Sequence, residues 1–328
     1  MTHRIGIALL AAAAAATLSV LPAGPAAAAG PIQLTISHSQ KTVDFLPLWI
    51  ASDAGYFKDH GLDVTVRYLP AQEGIPALLT GQAQFTGIGG SDAASAQAQG
   101  AKLKLVATFT PTYIFQFWAR PDHASAATLK GQRVGITSTT GSLYSATLLA
   151  LKDLGLKSTD VVMTPLGGVT NINSALLAGS IAAAASHPPA TYKFKQAGLV
   201  DLVDLAKKRI PSVNAGIWTA QSYLEDHRSV VQSVVDAMIE AINREKTDKA
   251  FAESEITKHL GVKDKGELDF TYDFYVNDVL VLGPVPQVAE LQSNINAMTI
   301  KNPKVKTLDP ATMIDPSFVE AAEKQAAK

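Results

Sequence analysis

The chain contains an internal duplication, and this feature limits its fold more than any other. Three pairs of segments correspond in the same order: Leu34–Ser37 with Val134–Thr137, Ala77–Gly81 with Ala175–Gly179, and Gly100 with Gly198. The offsets between the paired segments are 100, 98 and 98 residues. We therefore expect two similar halves in a chain whose 328 residues are too many for one small core.

Each half has the pattern of four short apolar strands separated by three amphipathic helices. Strands are expected near residues 33–37, 64–68, 85–88 and 103–109, and again near 133–137, 161–166, 181–185 and 199–202. Short apolar strands that alternate with helices indicate a parallel sheet covered on both faces. After residue 209, a strand over Ile217–Thr219 and a long helix near residues 226–244 are expected. The pattern thus predicts an α/β protein with two sheets.

This order predicts two lobes, the first of which is discontinuous in sequence. Lobe 1 should comprise residues 30–118 and 216–328, and lobe 2 should comprise residues 119–215. The chain then crosses twice between the lobes, and two crossings make a hinge. Ligands of such sheets bind outside the carboxyl ends of the strands, which here means the crevice between the lobes.

The N-terminal residues have the three-part layout of a secretory signal. His3 and Arg4 precede an apolar run from Ile5 to Leu21, and Ala27–Ala29 offers small residues for cleavage. A membrane anchor is the alternative, although the run is short and rich in alanine for a spanning helix. We predict a signal peptide over residues 1–29 and a periplasmic mature protein.

The composition excludes several classes of function. The chain has no cysteine, so disulfides, thiolate chemistry, cysteine-based metal sites and a lipid-bearing N-terminal cysteine are excluded. Without the predicted signal peptide, 27 lysine and arginine residues stand against 29 aspartate and glutamate residues. This near-neutral balance argues against a nucleic-acid partner.

Four segments carry a resemblance to a known family. PLWIASDAGYFKDHGLDVTV, residues 47–66, resembles the opening motif of the aliphatic-sulfonate, nitrate and taurine binding proteins, a group that includes thiamine-pyrimidine binding proteins. ALLTGQAQFTGIGGSDAASAQAQG (77–100), LKGQRVGI (129–136) and MIDPSFV (313–319) are similar to later blocks of that family. The sequence departs from it at Gln84 and Ala182, where the family usually has an acid, and at His187, where it often has an aromatic or acidic residue.

The resemblance implies a two-lobed periplasmic-binding-protein (Venus-flytrap) fold, with a mixed, mostly parallel sheet flanked by helices in each lobe. It also implies a monomeric component of an ABC uptake system whose partners are a membrane permease and its ATPase. No cofactor and no metal are expected. A sensor or chemoreceptor partner is an alternative. An enzyme is the alternative from another class, because the eukaryotic thiamine-pyrimidine synthase resembles this fold, but that enzyme depends on cysteines.

Five segments at strand ends and helix starts should line the crevice, because backbone N–H groups converge there and favour anions. They are Ser37–Gln40, Asp44–Leu46, Gly89–Ser91, Ser138–Ser142 and Ser186–Pro188. The residues predicted to bind the ligand are His38, Ser39, Gln40, Phe45, Leu46, Gly90, Ser91, Thr139, Thr140, Gly141, Ser142, His187 and Pro188. Ser91 and Ser142 also suit helix N-caps, and a glycine such as Gly90 also suits a turn.

The sequence leaves two alternatives for the class of ligand. Hydroxyl- and N–H-rich loops suit a small organic oxyanion, such as a sulfonate or an aromatic carboxylate, and protonated His38 and His187 would favour it. No obvious arginine is expected in the crevice, so a pyrimidine-type heteroaromatic is the alternative class of ligand. Four aromatic residues near the crossings serve either as core or as an aromatic wall beside the ligand: Tyr113, Phe115, Phe117 and Trp218.

Overall fold

The computed structural model describes Met1, residues 30–299 and residues 302–326. The predicted signal peptide therefore lies outside the described residues, apart from Met1. Residues 1–30 and residues 31–328 form separate units, and the fold described below is that of the second.

Ten strands form two five-stranded sheets in this part of the chain. The strands are β1 (Ile32–His38), β2 (Leu62–Tyr68), β3 (Phe85–Ile88), β4 (Leu103–Thr112), β5 (Gln116–Ala119), β6 (Arg133–Ile136), β7 (Val162–Pro165), β8 (Ala183–Ser186), β9 (Val200–Asp204) and β10 (Pro211–Ala220). The first sheet has the order β2-β1-β3-β10-β4, and the second has the order β7-β6-β8-β5-β9. The two orders are equivalent under the predicted duplication.

Each sheet is parallel except for one inserted strand. β1 runs parallel to β2 and β3, and β6 runs parallel to β7 and β8. β10 lies antiparallel between β3 and β4, and β5 lies antiparallel between β8 and β9. The predicted class of two mixed, mostly parallel sheets flanked by helices is confirmed.

Fourteen α-helices are described. They are α1 (Leu46–Asp53), α2 (Tyr56–Asp59), α3 (Ala71–Leu79), α4 (Gly90–Gln97), α5 (Ala126–Leu129), α6 (Gly141–Asp153), α7 (Val169–Leu177), α8 (Ala190–Gln196), α9 (Gln221–Asp226), α10 (Arg228–Thr247), α11 (Lys249–Leu260), α12 (Lys265–Tyr272), α13 (Val288–Met298) and α14 (Ser317–Ala326). A π-helix, Asp273–Val279, follows α12 directly. Short 3₁₀ helices complete the connections.

The longest helix follows the predicted apolar spacing. In α10, Val230, Val231, Val234, Val235 and Met238 are buried, and they recur at the three- and four-residue intervals that place side chains on one helix face. This face packs against α1, α2 and α14 and closes one side of the first sheet.

The duplicated ALLTG and ALLAG segments have a common structural reason. α3 and α7 each end two residues before a glycine, Gly81 and Gly179, in the left-handed region with φ of 76°. Glycine adopts this conformation without a steric penalty and commonly ends helices. The repeated glycine therefore marks equivalent helix ends in the two halves.

The chain passes between the sheets at two connections, residues 113–115 and residues 205–210. The predicted lobe boundaries, Trp118/Ala119 and Ala215/Gly216, fall inside β5 and β10. Because each strand pairs within one sheet along its length, we propose to move the boundaries of the two lobes to these connections. None of the described helices has the length and apolar character of a membrane span.

Candidate functional site

A cavity of about 290 Å³ lies at the carboxyl ends of strands from both sheets. Its walls come from the segments that follow β1, β2, β6 and β7. The lining residues are Ser39, Gln40, Lys41, Thr42, Tyr68, Pro70, Ala71, Gln72, Asp92, Thr137, Ser138, Thr140, Gly141, Gly167, Gly168, Val169 and Thr170. We refer to this space as the interlobe cavity.

The two halves contribute equivalent segments to the interlobe cavity. Residues 39–42 follow β1 as residues 137–141 follow β6, and both sets were predicted in part. Residues 70–72 follow β2 as residues 167–170 follow β7, and neither of these sets was predicted. The duplication is the signal that identifies both sets as equivalent candidates, because α3 and α7 begin at equivalent points of the two halves.

A narrow inner cavity of about 10 Å³ shares Ser39, Gln40, Thr42 and Asp92 with the interlobe cavity. Seven of the thirteen predicted ligand-binding residues line one or both cavities: Ser39, Gln40, Phe45, Thr140, Gly141, Ser142 and His187. Their contact with a ligand stays a prediction. The structure brings them together from four separate parts of the chain.

The other six predicted residues line neither cavity. Leu46, Gly90, Ser91 and Pro188 are buried, and Thr139 is exposed beside the cavity. The Ser91 hydroxyl lies 2.9 Å from the Ser145 hydroxyl, so it forms a hydrogen bond that joins α4 to α6. His38, the sixth, lies in an aromatic cluster behind the cavity wall.

His38 is packed among aromatic rings. Its ring centroid lies 5.5 Å from those of Phe45 and Trp49 and 5.8 Å from that of Tyr68. Its Nε2 accepts a hydrogen bond from Trp49 Nε1 at 3.4 Å, and its Nδ1 lies 2.8 Å from the Gln40 carbonyl oxygen. Burial lowers the pKa of His38.

His187 lies in the wall of the inner cavity. Its Nδ1 is 2.6 Å from the Tyr275 hydroxyl and 2.8 Å from the Pro188 carbonyl oxygen. Burial lowers the pKa of His187 to about 4, so the imidazole is neutral at pH 7. The lowered pKa values of both histidines disfavour the imidazolium form, and the Nδ1 atom of each lies at hydrogen-bond distance from a loop carbonyl oxygen.

Two acidic residues at the cavities were not among the residues predicted to bind the ligand, although Asp44 belongs to a segment that was predicted to line the crevice. Burial raises the pKa of Asp44 to about 7 and that of Asp92 to about 6. Asp44 accepts long hydrogen bonds from Thr42, Thr110 and Asn214 at 3.3–3.4 Å. Asp92 lies beside Gly141 at the start of α6. The site therefore combines hydroxyl and N–H donors with two carboxyl groups.

The aromatic residues near the crossings divide between core and cavity. Phe117 and Trp218 are fully buried, and Trp218 Nε1 donates to the Ile88 carbonyl oxygen at 3.2 Å. The Tyr113 hydroxyl is bonded to Asn294. Phe115 lines the inner cavity beside His187, 5.5 Å between ring centroids. Only Phe115 of the four contributes to the described cavity walls.

Asp53, Glu255 and His259 form a separate cluster whose ligand-type atoms lie within 4.8 Å of one another. Lys258 Nζ lies 2.8 Å from Asp53 Oδ2, and His259 Nε2 lies 2.6 Å from the same oxygen. The His259 ring stacks on Trp49 at 4.6 Å between ring centroids. With a lysine already bonded to the shared carboxylate, this arrangement is explained as an ion-pair network that joins α11 to α1.

Comparison with known proteins identifies the family of this chain. The model of the "NMT1/THI5 like" family matches residues 42–245, which is more than half of the chain. The chain belongs to the NMT1/THI5-like family. No curated protein matches its sequence significantly. The matched range of the NMT1/THI5-like model includes both connections between the sheets and the lining of the interlobe cavity except residues 39–41.

Three solved structures are similar in fold to this NMT1/THI5-like protein. A protein from Bordetella bronchiseptica RB50 has 21% identity and a TM-score of 0.75, covering 90% of this chain and 98% of the other. The periplasmic aliphatic sulphonate binding protein SsuA from Escherichia coli has 20% identity and a TM-score of 0.69, covering 88% and 93%. The desulfurization enzyme DSZB has 19% identity and a TM-score of 0.63, covering 90% and 99%.

These similarities confirm the predicted two-lobed periplasmic-binding-protein fold. They also include both a binding protein and an enzyme. The fold is therefore compatible with either activity, and the functional distinction depends on the residues of the cavity.

Proposed function

We propose that this protein is the extracytoplasmic solute-binding component of an ABC uptake system and captures a small organic oxyanion in the interlobe cavity. The single observation that carries the proposal is the convergence of equivalent strand ends from both sheets on one cavity of about 290 Å³. A ligand there contacts both lobes at once. The ligand stabilises the closed form relative to the open form. The size of this stabilisation is the difference between the ligand's binding free energies for the two forms.

Donors around the cavity support an oxyanion such as a sulfonate or an aromatic carboxylate. α6 begins at Gly141, so its first backbone N–H groups and the positive end of its dipole lie in the wall. The hydroxyl of Ser39 adds a further donor, whereas the Ser138 hydroxyl donates to the Thr140 carbonyl oxygen at 3.1 Å. SsuA from Escherichia coli, similar in fold, is an aliphatic sulphonate binding protein.

Asp92 favours a second ligand class, a pyrimidine-type heteroaromatic. Its carboxyl group lines the same cavity and accepts hydrogen bonds in its ionised form. An amino-substituted ring supplies the N–H donors that such a carboxylate pairs with, whereas a plain sulfonate leaves it unpaired. The two classes are therefore separable by experiment.

The proposal includes a periplasmic location, release by cleavage of a signal peptide, and a monomer that delivers its ligand to a membrane permease and its ATPase. A sensor that reads the closed form is the alternative partner. We propose no enzymatic activity. The chain has no cysteine, so a thiolate nucleophile is excluded.

A ligand screen tests this function directly. Mature protein, unfolded and refolded to remove bound ligand, is assayed by thermal shift against taurine, alkanesulfonates, nitrate, benzoate and aminopyrimidines. A true ligand raises the melting temperature by mass action and reduces the radius of gyration measured by X-ray scattering. A response to sulfonates supports the oxyanion, and a response to aminopyrimidines supports the second class. If no compound in either class raises the melting temperature, the proposal fails.

Replacing Gly89 by alanine should weaken ligand binding by about three- to tenfold. A Cβ at Gly89 would lie 2.3 Å from Ser142 Oγ and 3.2 Å from the Asn214 carbonyl oxygen, so it displaces the Ser142 hydroxyl at the start of α6 from its hydrogen bond to that carbonyl oxygen. Gly89 has φ of −77°, so alanine adds no backbone strain. Loss of one hydrogen bond at this contact corresponds to about 1 kcal/mol. Isothermal titration calorimetry with the ligand found above gives the comparison.

Gly168→Ala is the matched control. Gly168 lines the interlobe cavity, whereas Gly89 lines the inner cavity, and a Cβ at Gly168 would meet no atom within 4 Å among the described residues. Its affinity should equal that of the wild type. Equal affinities for both variants would contradict the role of this contact in closure.

A further inference from the structure

A second and larger cavity lies apart from the interlobe cavity. It has a volume of about 750 Å³, within the range of small-molecule sites, and shares no lining residue with the interlobe or inner cavities. β5 and β9 form one wall, α8 forms a second, and α12 with the following π-helix forms a third. Ala206, Lys207 and Arg209 of the second connection between the sheets also line it.

The cavity has an apolar body. Trp118, Phe270 and Phe274 line it, together with Leu199 and Val279. Aromatic and aliphatic walls of this kind bind the flat apolar part of a ligand.

Unpartnered polar atoms are concentrated around this cavity. Gln116 Oε1, Trp118 Nε1, Thr191 Oγ1 and Asp201 Oδ1 are buried, and none has a hydrogen-bond partner among the described residues. All four residues line the cavity. Trp118 is 6% exposed and Thr191 is fully buried. Buried polar groups are nearly always hydrogen-bonded in folded proteins, so four exceptions at one cavity point to a ligand.

Four acidic and three basic residues line the cavity, and the unpaired carboxylate of Asp201 selects the kind of ligand. Asp201 has no cationic partner within 4 Å in the described structure, and Lys207 pairs with Asp204 instead, at 3.4 Å. Gln116 Nε2 donates to Asp201 Oδ2 at 3.3 Å and to Asp204 Oδ2 at 3.1 Å, which leaves Asp201 Oδ1 free. A positively charged N–H group of a ligand would donate a charge-assisted hydrogen bond to the free oxygen of this carboxylate.

We propose that this cavity is a second small-molecule site that binds an aromatic cation, with its flat body against Trp118 and Phe274 and its N–H donors on Asp201. The ligand contacts the strand β5 that follows the first connection and the residues of the second connection. Its occupancy is therefore placed to influence movement between the sheets.

Binding of two aromatic cations tests the proposal, with anions of the same aromatic bodies as controls. Benzamidine is compared with benzoate, and tryptamine with indole-3-acetate, by titration calorimetry and saturation-transfer NMR on the mature protein. Both cations should bind at least tenfold more tightly than their anionic counterparts. Asp201→Asn keeps the size of the side chain and should weaken cation binding at least tenfold, because it removes a charge-assisted hydrogen bond.

Three controls separate this site from others. Asp59→Asn changes an exposed carboxylate on α2 and should leave binding unchanged. Phe274→Ala should weaken binding severalfold by removing part of the apolar wall. Thr140→Trp fills the interlobe cavity and should leave cation binding intact. The proposal is overturned if neither cation binds at about 10 mM, if Asp201→Asn binds like the wild type, or if Thr140→Trp alone abolishes binding.

Discussion

Replacing Asp44 by asparagine should raise the free energy of unfolding at pH 8 by up to about 4 kcal/mol and change it little at pH 4. Burial raises the pKa of Asp44 from its ordinary 3.8 to about 7. The folded state therefore keeps a proton that the unfolded state releases above pH 3.8. Stability falls as the pH rises from about 4 to 7, and the full penalty of the buried carboxylate is present above pH 7. Asparagine has the same shape and no charge to bury.

Chemical denaturation of ligand-free wild type and Asp44→Asn at pH 4, 6 and 8 measures this difference. Burial also raises the pKa of Asp92 to about 6 and that of Glu290 to about 7, so both proteins should lose some stability as the pH rises. Only the difference between the two proteins isolates Asp44. Asp59→Asn, an exposed control, should follow the wild type at every pH. A gap between wild type and Asp44→Asn that does not grow from pH 4 to pH 8 would refute the assignment.

Replacing Asn294 by leucine should lower the free energy of unfolding by about 3–5 kcal/mol, since each unpaired buried polar group costs about 1–3 kcal/mol. Asn294 is fully buried on α13. Its Oδ1 accepts from the Val213 backbone N–H at 2.9 Å, and its Nδ2 lies 2.9 Å from the Ser212 hydroxyl and 3.1 Å from the Tyr113 hydroxyl. Leucine has a similar volume but can satisfy none of these groups.

Denaturant unfolding monitored by circular dichroism gives the stability of this variant. Asn296→Leu is the matched control, because Asn296 lies on the exposed side of the same helix. Its effect should stay within about 0.5 kcal/mol. A loss below about 1 kcal/mol for Asn294→Leu would mean that waters or rearranged hydroxyls replace the amide.

The duplication made most of the fold predictable. Apolar strands such as Leu34–Ser37 and helix-ending glycines such as Gly81 and Gly179 are local signals, and they placed the equivalent strands of both sheets in order. The insertion of β5 and β10 as antiparallel strands was not predictable in this way. Their neighbours in the sheets lie far away in sequence, and no local pattern specifies such pairing.

Residues of the candidate site could be predicted from the sequence only where a local pattern marks the end of a strand or the start of a helix. Ser39 and Gln40 follow an apolar strand directly, Gly141 begins the helix after β6, and all three were predicted. Asp44 was placed in the crevice lining but not among the ligand-binding residues, and Asp92 was missed, because each lies in the first turn of a helix, where acidic residues are common at the surface. Their burial comes from tertiary packing, which also lowers the pKa of His187 and so disfavours the charged form of its imidazole.

The position of β10 has a consequence for how the protein can be made. β10 lies between β3 and β4, yet it is synthesised after every strand of the second sheet. A nascent chain that ends before Pro211 would leave facing edges of β3 and β4 unpaired, and unpaired edges invite association with other chains. The first sheet can therefore be completed only late in synthesis, and fragments that stop within the second half should aggregate rather than fold as a single lobe.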